Sequence, residues 1–167
     1  MIPQAAITTF LALLTATQSH AQTFALTTES DSLSVISLYT DHGQSQWKLP
    51  HPVYQFQTGD VDGDGSIDAM VGVIKTTRFR KEKGRRLFVF KNHKGHIRPL
   101  WMGSKLGGIL HDFRFIDGRI RSLETSATGQ WYVADYQWRS FGMSFVRFLA
   151  RDTDYASALK TFNDPNL

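Results

Sequence analysis

Gly59-Asp60-Val61-Asp62-Gly63-Asp64-Gly65-Ser66-Ile67-Asp68, followed by Ala69-Met70-Val71-Gly72-Val73-Ile74, is the stretch from which the fold is read. Its carboxylates alternate with other residues around a glycine-bearing turn, and a fourth closes the loop. Ca²⁺ takes six to eight hard oxygen ligands, and a short loop supplies them when side chains at positions 1, 3 and 5 converge and the backbone bends at position 6. Asp60, Asp62, Asp64 and Gly65 occupy those positions. The position 7 carbonyl falls to Ser66 and the position 9 oxygen to Asp68, while position 12, where an EF-hand needs Glu, is Val71. The loop is therefore not a complete EF-hand. The apolar run after it is short and rich in β-branched residues, which predicts a buried strand. The alternative is that the Asp-Gly repeats build turns between two strands and hold no ion. Against this, carboxylates crowded into nine residues repel one another unless a cation intervenes.

The segment GDVDGDGSIDAMVGV resembles the calcium-loop segment of FG-GAP or VCBS repeats, the blade units of integrin-α-type β-propellers, over about fifteen residues. The resemblance implies a β setting with Ca²⁺ in a structural role, in a module that serves adhesion, recognition or scaffolding. A protein, a glycan or an envelope component is the partner so implied.

The first residues predict the compartment. Ala5 to Leu14 is mostly apolar but too short to span a bilayer of about 30 Å as a helix, and Ser19-His20-Ala21 places small residues where signal peptidase reads them. Residues 1–21 therefore read as a signal peptide, residues 22–167 as one all-β domain, and the destination as secreted or periplasmic. The alternative is an apolar N-terminal helix retained in the mature chain. There is no Cys, so stability must come from the core or from bound metal. No later run is long enough to cross a membrane as a helix.

Downstream the pattern repeats as strand, Gly-bearing turn, strand. Leu33 to Thr40 turns through Asp41-His42-Gly43 into Ser45 to Leu49, and Arg86 to Lys91 turns through Asn92 to Gly95 into His96 to Trp101. Phe113 to Ile116 turns at Asp117-Gly118 into Arg119 to Glu124, and Trp131 to Trp138 turns near Ser140 into Met143 to Leu149. Asp152 to Phe162 reads as a short terminal helix capped at Asp152 or Thr153. The strands fall into roughly three groups of three or four, similar to propeller blades, with the acidic loop between the first two strands of the middle group. A closed propeller needs at least four blades, so the expectation is an all-β meander forming an open blade stack, a compact sandwich or barrel, or a fragment completed by association.

Arg78-Phe79-Arg80-Lys81-Glu82-Lys83-Gly84-Arg85-Arg86 holds six basic residues against one acidic, while the whole chain carries only +4. The excess charge is thus local, at a predicted hairpin tip. Arg78, Arg80, Lys81, Lys83, Arg85 and Arg86 are candidates for polyanion contact, or else a solvated tip that discourages edge pairing. Phe79 is one stacking residue, too few for a nucleic-acid platform. In the aromatic segment from Trp131 to Phe148, strand alternation puts Tyr132, Tyr136 and Trp138 on one face, either as core or as a contact surface for sugar rings or protein.

Catalytic signatures are absent: there is no Cys nucleophile, GxSxG, HExxH or phosphate-binding glycine loop. Glu124 with Asp135 offers a carboxylate pair of glycosidase type, and His111-Asp112 half of an acid–base pair. His93 and His96 read as turn residues. A non-enzymatic calcium-binding module is the leading expectation. A hydrolase acting on polysaccharide or another polyanion, using Glu124 and Asp135, and a structural subunit of an envelope assembly are the alternatives.

Overall fold

The computed structural model describes residues 22–78, 81–103 and 105–167. The predicted signal peptide, Phe79 and Arg80 lie outside the described residues. Among the described residues the fold is all-β with one short helix, built from three antiparallel meanders, none closed into a barrel. The first sheet is β1 (Thr23–Ser30), β2 (Leu33–Thr40) and β3 (Gly43–Leu49). The second is β4 (Val53–Gly59), β5 (Asp68–Lys75), β6 (Gly84–His93) and β7 (His96–Met102). The third is β8 (Ile109–Ile116), β9 (Arg119–Thr125), β10 (Trp131–Arg139) and β11 (Gly142–Thr153), followed by α1 (Tyr155–Asn163).

Within each sheet the strands pair in sequence order, because short turns can join only antiparallel strands. At Asp117-Gly118 both residues have positive φ, 49° and 71°, the geometry whose twist matches that of the flanking strands. Three apolar clusters then stack the layers. Ile36, Leu38 and Leu49 of the first sheet meet Val71, Val73, Phe88 and Phe90 of the second. The opposite face of the second sheet, through Met70, Leu87 and Val89, meets Phe113, Ile120 and Ala134 of the third. Leu123 and Val133, on the far face of the third sheet, receive Ala158 and Phe162 of α1. The order is sheet, sheet, sheet, helix. It explains why β5 is apolar without alternation: both of its faces are covered.

The predicted groups of strands are those observed, and the open stack is the form they take rather than a barrel. The helix begins later than predicted. β11 runs through Asp152 and Thr153, and the N-cap is Asp154, which accepts from Ser157 N–H at 3.0 Å and from the Ser157 hydroxyl at 2.8 Å. Asp152 has φ of 49°, which turns the chain out of the sheet before the helix can start.

Candidate metal site and neighbouring surfaces

β4 delivers the chain to Asp60 and β5 opens on Asp68, with Gly59 paired to Asp68, so the first and last carboxylates of the acidic loop lie side by side. Gly63 and Gly65 take φ of 76° and 84°, which lets the backbone fold back over Asp60. Asp60 Oδ1 accepts from the N–H groups of Gly63 (2.7 Å) and Asp64 (3.1 Å), and Oδ2 from Gly65 N–H (2.9 Å). Asp62 Oδ1 accepts from Asp64 N–H at 3.3 Å, and Asp64 Oδ1 from Ser66 N–H at 2.8 Å.

Asp68 differs from the others. It is fully buried; Oδ2 accepts from Val61 N–H at 2.9 Å, and Oδ1 has no hydrogen-bond partner. One oxygen from each of Asp60, Asp62 and Asp68 lies within 4.8 Å of the other two. The structure thus brings together three of the four predicted carboxylates. Asp64 instead holds Lys91 of β6 at 2.7 Å, and the same ammonium is bound by Asp62. Burial pushes the Asp68 carboxyl up to about 7, with the charges of Asp62 and Asp64 adding to it against the Val61 N–H bond and Lys91. The Lys91 hydrogen bond holds the Asp64 carboxyl below its ordinary value. Burial disfavours the Lys91 ammonium, but its hydrogen bonds to Asp62 and Asp64 outweigh this and keep it charged.

Oxygen-only donors, several of them anionic, are what a hard divalent cation takes. Asp60, Asp62 and Asp68 fit such an ion, and the orphaned Asp68 Oδ1 is a buried acceptor with nothing bonded to it. Ser66 is half-buried beside them.

The basic segment does not form one tip. β6 starts at Gly84, so Arg85 and Arg86 are strand residues. The Arg85 guanidinium lies 4.6 Å from the centre of the Tyr54 ring and donates to the His111 carbonyl. Arg86 is buried and donates to the Arg85 carbonyl at 2.8 Å. Arg78, Lys81 and Lys83 are exposed, and Arg80 lies outside the described residues. Arg85 is exposed as well, so of the predicted polyanion-contact residues Arg86 is the one buried among the described residues.

The aromatic row, read from the sequence as core or as a contact surface, packs mainly as core. Tyr136 is buried, and Tyr132 and Trp138 are half-buried against the cluster between the second and third sheets. The exposed rings belong to the next strand, at Phe145 and Phe148. Phe141, at the turn before it, is 94% exposed.

Glu124 and Asp135 do not pair. Glu124 lies opposite Tyr132 and Asp135 opposite Arg121, and the alternation of the sheet sends the two carboxylates to opposite faces. Asp135 sits on the helix side, held by Arg121 (3.2 Å) and Arg147 (3.1 Å). His111 packs its ring 4.4 Å from that of Trp131 and bonds Thr125 Oγ1 at 3.0 Å, whereas Asp112 accepts from Phe113 N–H. They form no acid–base pair. Burial, then Arg85, lowers the His111 pKa. His93 and His96 face each other as exposed turn-flanking residues.

Sequence reading missed what Glu124 does. It is fully buried and accepts from the Ser122 hydroxyl (2.5 Å), the Tyr132 hydroxyl (2.9 Å) and Gly108 N–H, and Tyr136 also bonds it. Burial, then the Glu124 charge, drives both phenols well above their usual pKa. A Cβ at Gly107 would meet the Tyr136 hydroxyl, and one at Gly108 the Thr125 carbonyl. Gly107-Gly108 followed by an acidic residue on the next hairpin strand was the available signal. Glu124→Ala is expected to cost at least about 3 kcal/mol in urea unfolding, because several buried donors lose their acceptor at about 1–3 kcal/mol each.

No family model, no curated protein and no solved structure matches this chain.

Proposed function

We propose that the chain is an exported, calcium-binding all-β module that acts by binding a protein, a glycan or an envelope component rather than by turnover. The observation that carries the metal reading is Asp68: a fully buried carboxylate with one oxygen unpartnered, within 4.8 Å of oxygens of Asp60 and Asp62. Asp60, Asp62 and Asp68 are the residues that would hold Ca²⁺, joined by Asp64 and the Ser66 carbonyl when Lys91 withdraws. A bound ion would neutralise the crowded carboxylates and lock the β4–β5 corner. The non-enzymatic part of the reading is supported by the separation of Glu124 from Asp135 and by the internal bonding of His111 and Asp112.

The test is the thermal unfolding midpoint in millimolar calcium and in excess chelator, for the wild type and for Asp64→Ala and Asp60→Asn. A site that binds only the native state adds RT ln(1 + [Ca]/Kd), about 2.7 kcal/mol at one hundred times Kd. For a domain of this size the expected rise is about 5–10 °C. It should shrink in Asp64→Ala and disappear in Asp60→Asn. An equal midpoint in calcium and chelator would leave the loop as turn chemistry and remove the metal from the reading.

A further inference from the structure

We propose that the cleft on the third sheet binds a free single-chain anionic amphiphile, with its tail on the aromatic wall and its head between Lys105 and Arg151. The cleft has a volume of about 570 Å³, within the range of about 300–1,000 Å³ in which small-molecule sites fall. Its wall is made by Leu106, Tyr132, Tyr136, Met143, Phe145 and Phe148. Phe145 and Phe148 remain 50% and 44% exposed, and their rings lie 4.7 Å apart. Tyr132 meets Phe148 edge-on at 5.6 Å, and Tyr136 meets Phe145 at 6.0 Å. The wall is one continuous aromatic surface rather than scattered rings.

Glu124 decides the polarity of that wall. It stands behind the two tyrosines and takes both hydroxyls, so the polar ends of the phenols are engaged within the fold. The charged groups lining the cleft are Lys105, Arg151 and Asp152. Arg151 is 3.2 Å from Asp152 and stacks its guanidinium 5.2 Å from the Phe148 ring centre, so a cation with unused donors lies directly over the end of the apolar wall. At the rim two cations stand against one carboxylate, while Glu124 behind the wall is held by its own donors from Ser122, Tyr132 and Gly108, so the rim complements a single negative charge. An apolar body with one anionic end meets both requirements.

The experiment is calorimetric titration of the full chain with octanoate, decanoate and dodecanoate below micelle formation, in chelator so that no calcium soap forms. Each added methylene is worth about 0.8 kcal/mol when buried, so affinity should rise about three- to fourfold per carbon until the cleft is filled. Dodecyltrimethylammonium should bind at least tenfold more weakly than dodecanoate. Arg151→Glu, on an exposed side chain, should reverse that order, and Phe145→Ala with Phe148→Ala should flatten the chain-length series; an unchanged unfolding midpoint certifies each variant. No dependence on chain length, equal binding of the cationic amphiphile, or indifference to Arg151→Glu would each overturn the proposal. So would vesicles of anionic phospholipid sedimenting the protein through Phe145 and Phe148 while dodecanoate does not bind, since the cleft would then serve a membrane surface. The proposal does not depend on the acidic loop, and its test proceeds without calcium.

Discussion

Lys91→Met is expected to bind calcium at least tenfold more tightly than the wild type, while its calcium-free form is less stable. Both effects have one cause. In the structure the Lys91 ammonium bridges Asp62 and Asp64, so the acidic loop already contains a tethered cation. A divalent ion entering among Asp60, Asp62 and Asp68 meets a positive charge held by two of the same carboxylates. It must either displace that charge or tolerate it, and a tenfold change in affinity corresponds to only about 1.4 kcal/mol. Removing the ammonium eliminates the competitor. It also leaves the loop carboxylates facing one another, with Asp68 fully buried. For a partly covered pair, between the exposed and buried limits, the expected loss in chelator is about 1–2 kcal/mol. Calorimetric titration with calcium and urea unfolding in chelator read the two effects separately. Calcium affinity that stays the same or falls in Lys91→Met would show that the ammonium does not compete for the site.

The role of Lys91 shows where sequence reading stopped. The acidic loop, the buried strand after it and four hairpins were legible because each depends on residues close together in the chain: alternating Asp and Gly, β-branched runs, and Asp117-Gly118 with its demand for positive φ. Lys91 lies one strand away from the loop. It reaches the carboxylates because Ala69 pairs with Phe90, which sets Lys91 beside the end of the loop that Asp68 closes. Nothing local to Lys91 in Phe88-Val89-Phe90-Lys91 announces that register. The same holds for Arg85 and Arg86, whose charge suggested a solvated tip but whose places in β6 draw them onto Tyr54 and into the body. Glu124 and Asp135 were separable in principle, since the parity of a strand assigns every residue to a face. Their assignment required knowing that Glu124 stands across from Tyr132 and Asp135 across from Arg121. Stacking order was beyond local pattern altogether: three meanders and a helix can be arranged in several ways, and side-chain complementarity between distant segments selects among them.

Arg121→Met is expected to destabilise the protein by about 3–5 kcal/mol and to release the helix before the sheets. Arg121 is 1% exposed, among the largest fully buried side chains of the described residues. Its Nε donates to Asp135 at 3.2 Å, Nη1 to the Asp164 carbonyl at 2.6 Å, and Nη2 to the Leu167 carbonyl. One guanidinium thus ties β9 to β10 and fastens the segment after α1 onto the third sheet. Removing one partner of a buried ion pair costs about 3–5 kcal/mol, because the other charge stays buried without compensation. Here Asp135, 2% exposed, would keep Arg147 at 3.1 Å and the more distant Arg119 at 4.0 Å. Those two are partly exposed and set the loss toward the lower end of the range. Adding Asp135→Asn to Arg121→Met removes the uncompensated charge and should recover part of the loss, whereas two independent contributions would simply add. The backbone bonds to Asp164 and Leu167 are not restored by that second change, so hydrogen exchange along α1 should remain fast in the double variant even as urea stability returns. The helix would then be held by Ala158 and Phe162 against Leu123 and Val133, with Arg114 on Asn163 and Tyr155 on Trp131. Recovery of helix protection together with stability would mean that the apolar contacts dock α1 and that the guanidinium acts only on Asp135.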